Sequence, residues 1–574
     1  MLLEVDNTAT DRQSRTGMSD ADLLVDFALT ARPLDTRAGP GFFLEEEDCD
    51  RAGWRRFRLP HKWAAEFALR KDYRDDWQTE LLEEYTYFTA DEFVATLAEL
   101  GARVVRAGPY WNPWIVANRF VGRLRLTDER MRPLPWPATN FVAAAQRVPA
   151  RASLRLSEKR PSTVAPAYLA LEAAVDTTTG HVFDLVRRPG PVTDLLPWHL
   201  DNAGRLRVVA RYGYPRPIIN AVPRATPDLE GDRRSGHVVE PISVAAPDSS
   251  APDPEATLLA RAGLPGDCIR DLSPGLTYYP SPGGIDEQVV SVLVRIDGDI
   301  PETPIDAVVS GFSTAGSVRT VDAQSLLRAA QVGMLAEARL ALNIYALLAD
   351  LGMAPEPWIG DAVSPRPGTP QQRAGLAELT AGSPDRRFRP STERAGYLRV
   401  VRSTFADQTI EDGLLTTLAA EEREFVLPTG VSANTAVVLP HLLDASGDVL
   451  VGLERQALPV PQLQAGDARI LTAPAFRLAA SLDTIESVRD HIRDVLALPA
   501  DAAVVRLGAS YFASAGLTPE RVFVFAADAS AAGAADLVYV PIGELLAGRR
   551  QLRDGHLLIA LFRLAHALAV GPGH

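Results

Sequence analysis

The chain has 574 residues, 46% hydrophobic and 23% charged, with a formal net charge of −14. That length exceeds one core at roughly 100–200 residues per domain, and the composition is that of a folded protein with no large disordered part. The acidic balance, with no basic stripe on any predicted helix, argues against nucleic acid as a partner. The only two cysteines, Cys49 and Cys268, exclude a disulfide framework or a cysteine-based zinc site and suit a reducing compartment.

Residues 1–20 are polar, carry no apolar signal core and are expected to be a disordered lead-in. No apolar run approaches the roughly 20 residues that span a bilayer, so the expected location is cytoplasmic. Helices are predicted over Lys62–Leu69 and Asp76–Glu84. A third is introduced by the capping box Thr89-Ala90-Asp91-Glu92, carries Phe93, Leu97 and Leu100 at helical spacing, and stops at Gly101. Short strands are expected over Ala102–Arg106 and Thr139–Gln146.

The run Glu84–Thr89, the helix ending in Leu100-Gly101, and the stretches Tyr110–Ile115 and Thr139–Phe141 resemble the back half of a class I S-adenosylmethionine-dependent methyltransferase over residues 50–148. The resemblance implies a partial α/β module in residues 21–150. In that family the cofactor sits on a glycine-rich turn after the first strand. No such unit precedes residue 50, where Gly39 and Gly41 merely flank Pro40, so methyl transfer by this chain alone is not expected. Tyr110, Trp111 and Trp114 read as core or interface packing. A protein partner carrying the missing cofactor half is the partner this module implies.

Further on, the chain repeats itself. Leu196-Pro197-Trp198-His199-Leu200-Asp201 with Gly204 mirrors Leu439-Pro440-His441-Leu442-Leu443-Asp444 with Gly447, each reading as a strand entering a hairpin turn. Return strands follow at Leu206–Ala210 and Val449–Leu453, closed by Arg211, Pro215 and Pro217 in one copy and Arg455, Pro459 and Pro461 in the other. The loop Tyr279-Pro280-Ser281-Pro282-Gly283-Gly284-Ile285-Asp286-Glu287 then recurs as Phe512-Ala513-Ser514-Ala515-Gly516-Leu517-Thr518-Pro519-Glu520, each entering a strand. Both copies end on an amphipathic helix, with Leu340, Ile344, Leu347 and Leu351 on one face and Leu557, Leu561, Leu564 and Leu568 on the other copy's. Val363–Ser391 has linker composition, and Ala245–Glu255 reads as an exposed loop. The expected domains are therefore 151–362 and 392–574, joined by 363–391.

A hairpin, a proline-containing turn, a helix and an aromatic–Ser–x–Gly loop leading to a strand resemble a Nudix domain of the ADP-ribose pyrophosphatase type. The resemblance implies two α/β/α sandwiches with mixed sheets, an α/β and α+β multidomain chain overall. It also implies diphosphate cleavage by Mg²⁺ held on helix carboxylates, and an internal pseudo-dimer, because such domains commonly pair as homodimers. The signature acids do not match. In Pro254–Leu264, closed by Gly263, their places fall on Thr257, Ala260 and Arg261, and Glu255 is misplaced on the helix. In the second copy Asp483-Thr484-Ile485-Glu486 caps a helix running to Leu498, and the places fall on His491, Asp494 and Val495. Asp490 and Asp494 stand one turn apart but beside Arg489 and Arg493, which reads as solvated ion pairing.

The expectation is a non-catalytic tandem Nudix-like protein that binds a nucleotide- or diphosphate-like ligand or acts as a scaffold or accessory subunit. No cofactor or metal is expected. The ligand-binding candidates are Glu240, Tyr278, Tyr279, Ser281, Gly283, Asp286 and Glu287 in the first copy, with Ser514 and Glu520 in the second; Glu240 resembles the strand acid beside the substrate in that family. The alternative is an atypical Nudix hydrolase using Mg²⁺ with Asp490, Asp494, Glu287 or Glu520 as its catalytic acids. A further alternative is an accessory part of a methyltransferase. His199, His441, His556 and His566 lie in no catalytic or metal-binding spacing, and packing roles are expected for the last two.

Overall fold

The structure, a computed structural model, describes residues 2–6, 22–28, 45–52, 54–60, 94, 102–111, 113, 116–122, 124–128, 130–136, 140–147, 155–223, 225–230, 236–245, 252–304, 316–411, 414–531 and 536–569. The fold is mixed α/β with several sheets. It separates into two compact units, Met1–Ala152 and Ser153–His574. Among the described residues no helix is long and apolar enough to cross a membrane.

In the first unit, Trp54–Pro60, Asp22–Ala28 and Leu124–Thr127 form the middle of a five-stranded sheet, edged by Glu45–Glu47 and Pro133–Leu134. A second sheet sets Asn140–Arg147 between Leu2–Asp6 and Ala102–Tyr110. Leu2–Asp6, expected in a disordered lead-in, is thus a strand, because its backbone pairs from Leu2 opposite Ala144 to Asp6 opposite Asn140. The described strands of this unit pair antiparallel throughout. The helices expected over Lys62–Leu69 and Asp76–Glu84, the capping box at Thr89 and the glycines Gly39 and Gly41 lie outside the described residues. Trp111, expected in core or interface packing, is exposed and donates to the Trp136 carbonyl at 3.3 Å, so it is not packed in a core; Trp114 lies outside the described residues.

The second unit contains one topology twice. The first half runs β1 (Val192–Leu200), β2 (Leu206–Pro215), β3 (His237–Glu240), β4 (Ile242–Ala245), α1 (Pro254–Ala262), β5 (Ile269–Tyr278), β6 (Val289–Ile296), β7 (Ser317–Asp322), α2 (Ala323–Gln331) and α3 (Ala338–Asp350). The second half repeats the order as β8 (Asn434–Leu443), β9 (Val449–Ala457), β10 (Arg469–Thr472), β11 (Ala475–Arg477), α4 (Ile485–Val495), β12 (Val504–Arg506), β13 (Arg521–Asp528), β14 (Val538–Pro541), α5 (Ile542–Ala547) and α6 (Gly555–Ala567). The pairings repeat as well. β1 lies between β2 and a parallel β6, and β8 between β9 and a parallel β13. β7 adds to β2 as β14 adds to β9. The hairpin turns match in detail, since Asp201 Oδ1 accepts from the amides of Ala203 and Arg205, both at 2.9 Å, and Asp444 Oδ1 from those of Ser446 and Asp448, both at 2.9 Å.

Several expectations shift in register or boundary. The hairpin register sets Leu206 in the place of Val449, so Arg211, opposite Glu240, is matched by Glu454, opposite Thr472, and not by Arg455; a bulge between Arg211 and Tyr214 follows. α1 ends on Gly263 in the left-handed conformation as expected. α4 is capped by Thr484, but Ser487 rather than Glu486 completes the box, and the helix stops at Val495. Residues 246–251 of the expected exposed loop lie outside the described residues. The segment expected as a linker is an ordered strap. Its backbone exchanges hydrogen bonds with Leu443 and with Tyr539, and Phe388–Pro390 adds a strand beside Ala174–Asp176. A proline-rich segment with few apolar residues still orders when neighbouring strand edges take up its backbone groups.

α3 and α6 are buried on nearly every face, not on one stripe. Their side chains belong to a single apolar core that draws on both halves. Tyr345 of α3 and Phe562 of α6, which hold the same place in the two helices, stack on each other with centroids 5.5 Å apart and planes 5° from parallel.

Candidate functional site

The repeated loops occupy the seam between the halves. Tyr279 N donates to Arg553 O at 2.7 Å and Tyr279 O accepts from Gly555 N at 3.0 Å, at the start of α6. Phe512 N donates to Ala336 O at 2.7 Å and Phe512 O accepts from Ala338 N at 3.2 Å, at the start of α3. Each loop thus docks on the last helix of the other half, through equivalent atoms. A second reciprocal pair uses carboxylates. Asp184 accepts from the amides of Ala395, Tyr397 and Leu398, and Glu424 from those of Ala167, Tyr168 and Leu169. Contacts in which residue i meets j and the counterpart of j meets the counterpart of i are those of an isologous interface.

This seam determines where the sequence-derived candidates lie. Tyr278 and Tyr279 are 2% and 1% exposed, inside the core rather than free to stack on a ligand. Ser281 and Ser514 close the turns of their loops, their carbonyls accepting from Ile285 N at 3.1 Å and Thr518 N at 3.0 Å. Gly283 is exposed at the loop's tip. Asp286 is buried against Arg187 at 2.7 Å and Gln464. Glu287 is buried between Arg188 at 2.8 Å and the Ser514 hydroxyl, which joins one loop to its twin. Its counterpart Glu520 is neutralised instead by Arg477 at 3.0 Å, with Thr435 donating at 2.5 Å. Burial opposes ionisation of Glu520, yet the Arg477 cation holds its carboxyl below the usual value.

Glu240 is fully buried in a clamp of arginines, with Arg216 donating at 2.7 and 2.9 Å and Arg211 completing the grip. Burial raises its pKa, but Arg216 and Arg211 outweigh it and the carboxyl stays below its ordinary value. Gly516 from the opposite loop closes over this clamp, and a Cβ there would sit 3.0 Å from Arg216 Nη1.

The other acids are elsewhere. Asp490 and Asp494 are exposed on α4, where Asp490 pairs with Arg493 at 2.5 Å and Arg489 with Glu486 at 3.0 Å. The structure therefore does not bring them to Glu287 or Glu520, and no group of three or more His, Cys, Asp or Glu side chains among the described residues is placed to hold a metal. Ala260 is exposed on α1, with Thr257 and Arg261 half-exposed. The histidines pack: Tyr511 bonds His556 Nδ1 at 2.9 Å, Tyr345 bonds His566 Nδ1 at 2.9 Å, and burial lowers the pKa of His441 and His566. His199 instead bonds Asp299 at 2.8 Å beside a shallow surface hollow lined by Asp201, Arg205 and Arg207.

Sequence reading missed a buried polar cluster in the first half. Asp194 on β1 lies 3.5 Å from Arg339, which also donates to Glu337 at 2.8 Å. Glu337 caps α3 by accepting from Leu340 N at 3.1 Å. Ser291 donates to Asn343 at 2.7 Å, one turn along from Arg339. All five are at most 5% exposed. Burial raises the pKa of Asp194, and pushes Glu337 up to about 7 against the opposing pull of Arg339. The available signal was polarity inside apolar runs: Asp194 in a strand of Val and Leu, Ser291 among valines, and Arg339 with Asn343 on a helix otherwise Ala, Leu and Ile. No protein-family model matches the chain, and no curated protein matches it.

Proposed function

We propose that the chain is a non-catalytic scaffold or accessory protein in which two Nudix-like halves form, within one chain, the pair that such domains commonly make as homodimers. The observation that carries this reading is the reciprocal docking of the two loops. Tyr279, Asp286, Glu287 and Ser514, which suggested a ligand pocket, join the two halves, and Glu287 and Glu520 are each neutralised by an arginine. A hydrolase of this class needs several free carboxylates converging on Mg²⁺. Asp490 and Asp494 are instead exposed on α4, away from either loop glutamate. Ligand binding at the loops would require Tyr278, Tyr279 and Glu287 to leave a buried seam, so scaffolding is favoured over recognition.

The test is phosphate release by the full chain from ADP-ribose, nucleoside triphosphates and sugar nucleotides with Mg²⁺ and with Mn²⁺. No metal-dependent turnover is expected. Turnover that Asp494→Ala abolishes would overturn the proposal and restore the atypical hydrolase.

A further inference from the structure

We propose that the first half holds one long-lived internal water molecule, hydrogen-bonded to Asp194 Oδ2, Tyr278 Oη and Asn343 Nδ2. These three atoms are buried without a hydrogen-bond partner, and their residues are 0%, 2% and 1% exposed. Their elements aim them at one place. Asp194 and Ser291 are direct partners on the parallel strands β1 and β6, so both side chains leave the same face of the sheet. Tyr278 pairs with Val289, two residues before Ser291, and shares that face. Asn343 descends from α3 onto Ser291, and Arg339, one turn earlier, reaches Asp194. Asp194 is also the acid that acts most strongly on Tyr278.

The chemistry of the three atoms selects the occupant. An amide N–H and a neighbouring guanidinium disfavour a cation, and a carboxylate disfavours an anion. A neutral molecule that both donates and accepts satisfies all three, accepting from Asn343 and Tyr278 and donating to Asp194. Buried waters typically make about three such bonds. The second half shows the alternative solution. Val437, Val524 and Ala560 stand where Asp194, Ser291 and Asn343 do, and Tyr511, the counterpart of Tyr278, already has His556 as its partner at 2.9 Å. That half is expected to be dry at the matching place.

The experiment is water ¹⁷O relaxation dispersion on the full chain, which counts waters held far longer than surface water. Tyr278→Phe with Asn343→Leu is expected to lose one long-lived water, whereas Tyr511→Phe is expected to lose none. An unchanged count in a folded double variant overturns the proposal. Where the double variant does not fold, Tyr278→Phe alone removes a single oxygen and no protein hydrogen bond. A shorter residence time there supports the proposal, and an unchanged dispersion overturns it. A rubidium anomalous peak among the three atoms in a soaked crystal would show a cation site and overturn it as well.

Discussion

Between α3 and its sheet the first half buries Asp194 and Ser291 on the strands and Arg339 and Asn343 on the helix, where the second half has Val437 and Val524 on the strands and His556 and Ala560 on α6. The backbone pairing around these positions is the same, down to Asp194 facing Ser291 and Val437 facing Val524. The comparison separates what the topology requires from what it tolerates. Both halves need a capped last helix that receives the other's loop, and both have one, capped by Glu337 and by Asp554. Neither the sheet nor the seam needs an ion pair at the places of Asp194 and Arg339, because the second half has Val437 and His556 there and keeps its buried charges at Asp554 and Arg563. Buried ion pairs are weak evidence for stability but costly to break singly, so the first half should be the more fragile to polar substitutions.

The largest test of that asymmetry is Arg339→Ala against His556→Ala. Removing Arg339 strands Asp194 and Glu337 without their cation, at a cost of about 3–5 kcal/mol. Removing His556 leaves one tyrosine hydroxyl unpaired, at about 1–3 kcal/mol. Urea unfolding of the full chain measures both, and equal losses would erase the distinction between the halves.

A pH series sharpens the comparison next. Glu337 is raised by burial to about 7. A raised carboxylate stabilises the fold most below its unfolded value, and that stability is lost as pH rises through its folded value. The expected loss between about pH 4.5 and 7 is on the order of 3 kcal/mol, and Glu337→Gln should flatten it. The buried His441 and His566, with lowered values, act in the opposite sense by losing stability as pH falls below their ordinary range. The informative quantity is therefore the difference between wild type and variant. A wild-type profile parallel to that of Glu337→Gln would mean that Glu337 does not titrate in this window. Smaller still is the stack shared by the halves: a double-mutant cycle on Tyr345→Leu and Phe562→Leu should give a coupling of about 0.5–1.5 kcal/mol.

The duplication was legible because hairpin turns and helix caps write local signals. Asp201 with Gly204 and Asp444 with Gly447 specify the same turn whatever surrounds them. The seam was not legible, because its contacts join residues more than 170 positions apart, such as Phe512 to Ala338 and Tyr279 to Gly555. A loop rich in aromatic and acidic residues reads alike whether it lines a pocket or closes an interface. Partner choice decided the outcome, with Arg188 and Ser514 turning Glu287 inward. The misplaced Arg455 has a simpler cause, since cross-strand register, which sets Val208 opposite Trp198 and Val451 opposite His441, is invisible to motif spacing. The strap over 363–391 has few apolar residues, but Val363, Leu376 and Phe388 are buried and its backbone bonds to Leu443 and Tyr539, which composition alone does not report.

The smallest expected effect discriminates most sharply between a scaffold and a hydrolase. Asp490 and Asp494 were the only carboxylates near the places a metal-binding helix would use, and both are exposed on α4. A surface pair such as Asp490 with Arg493 contributes little, because water screens both charges and two long side chains must be held in one geometry. Asp490→Ala and Asp494→Ala should therefore each change stability by less than about 0.5 kcal/mol. If the two aspartates shared a cation, millimolar Mg²⁺ would raise the melting temperature of the wild type and not of the variants, by mass action on the folded state. Thermal melts with and without Mg²⁺ decide this without any substrate. Coincident shifts in all three proteins leave α4 as a solvated face, while a metal-dependent shift confined to the wild type would reopen α4 as a metal site in the second half.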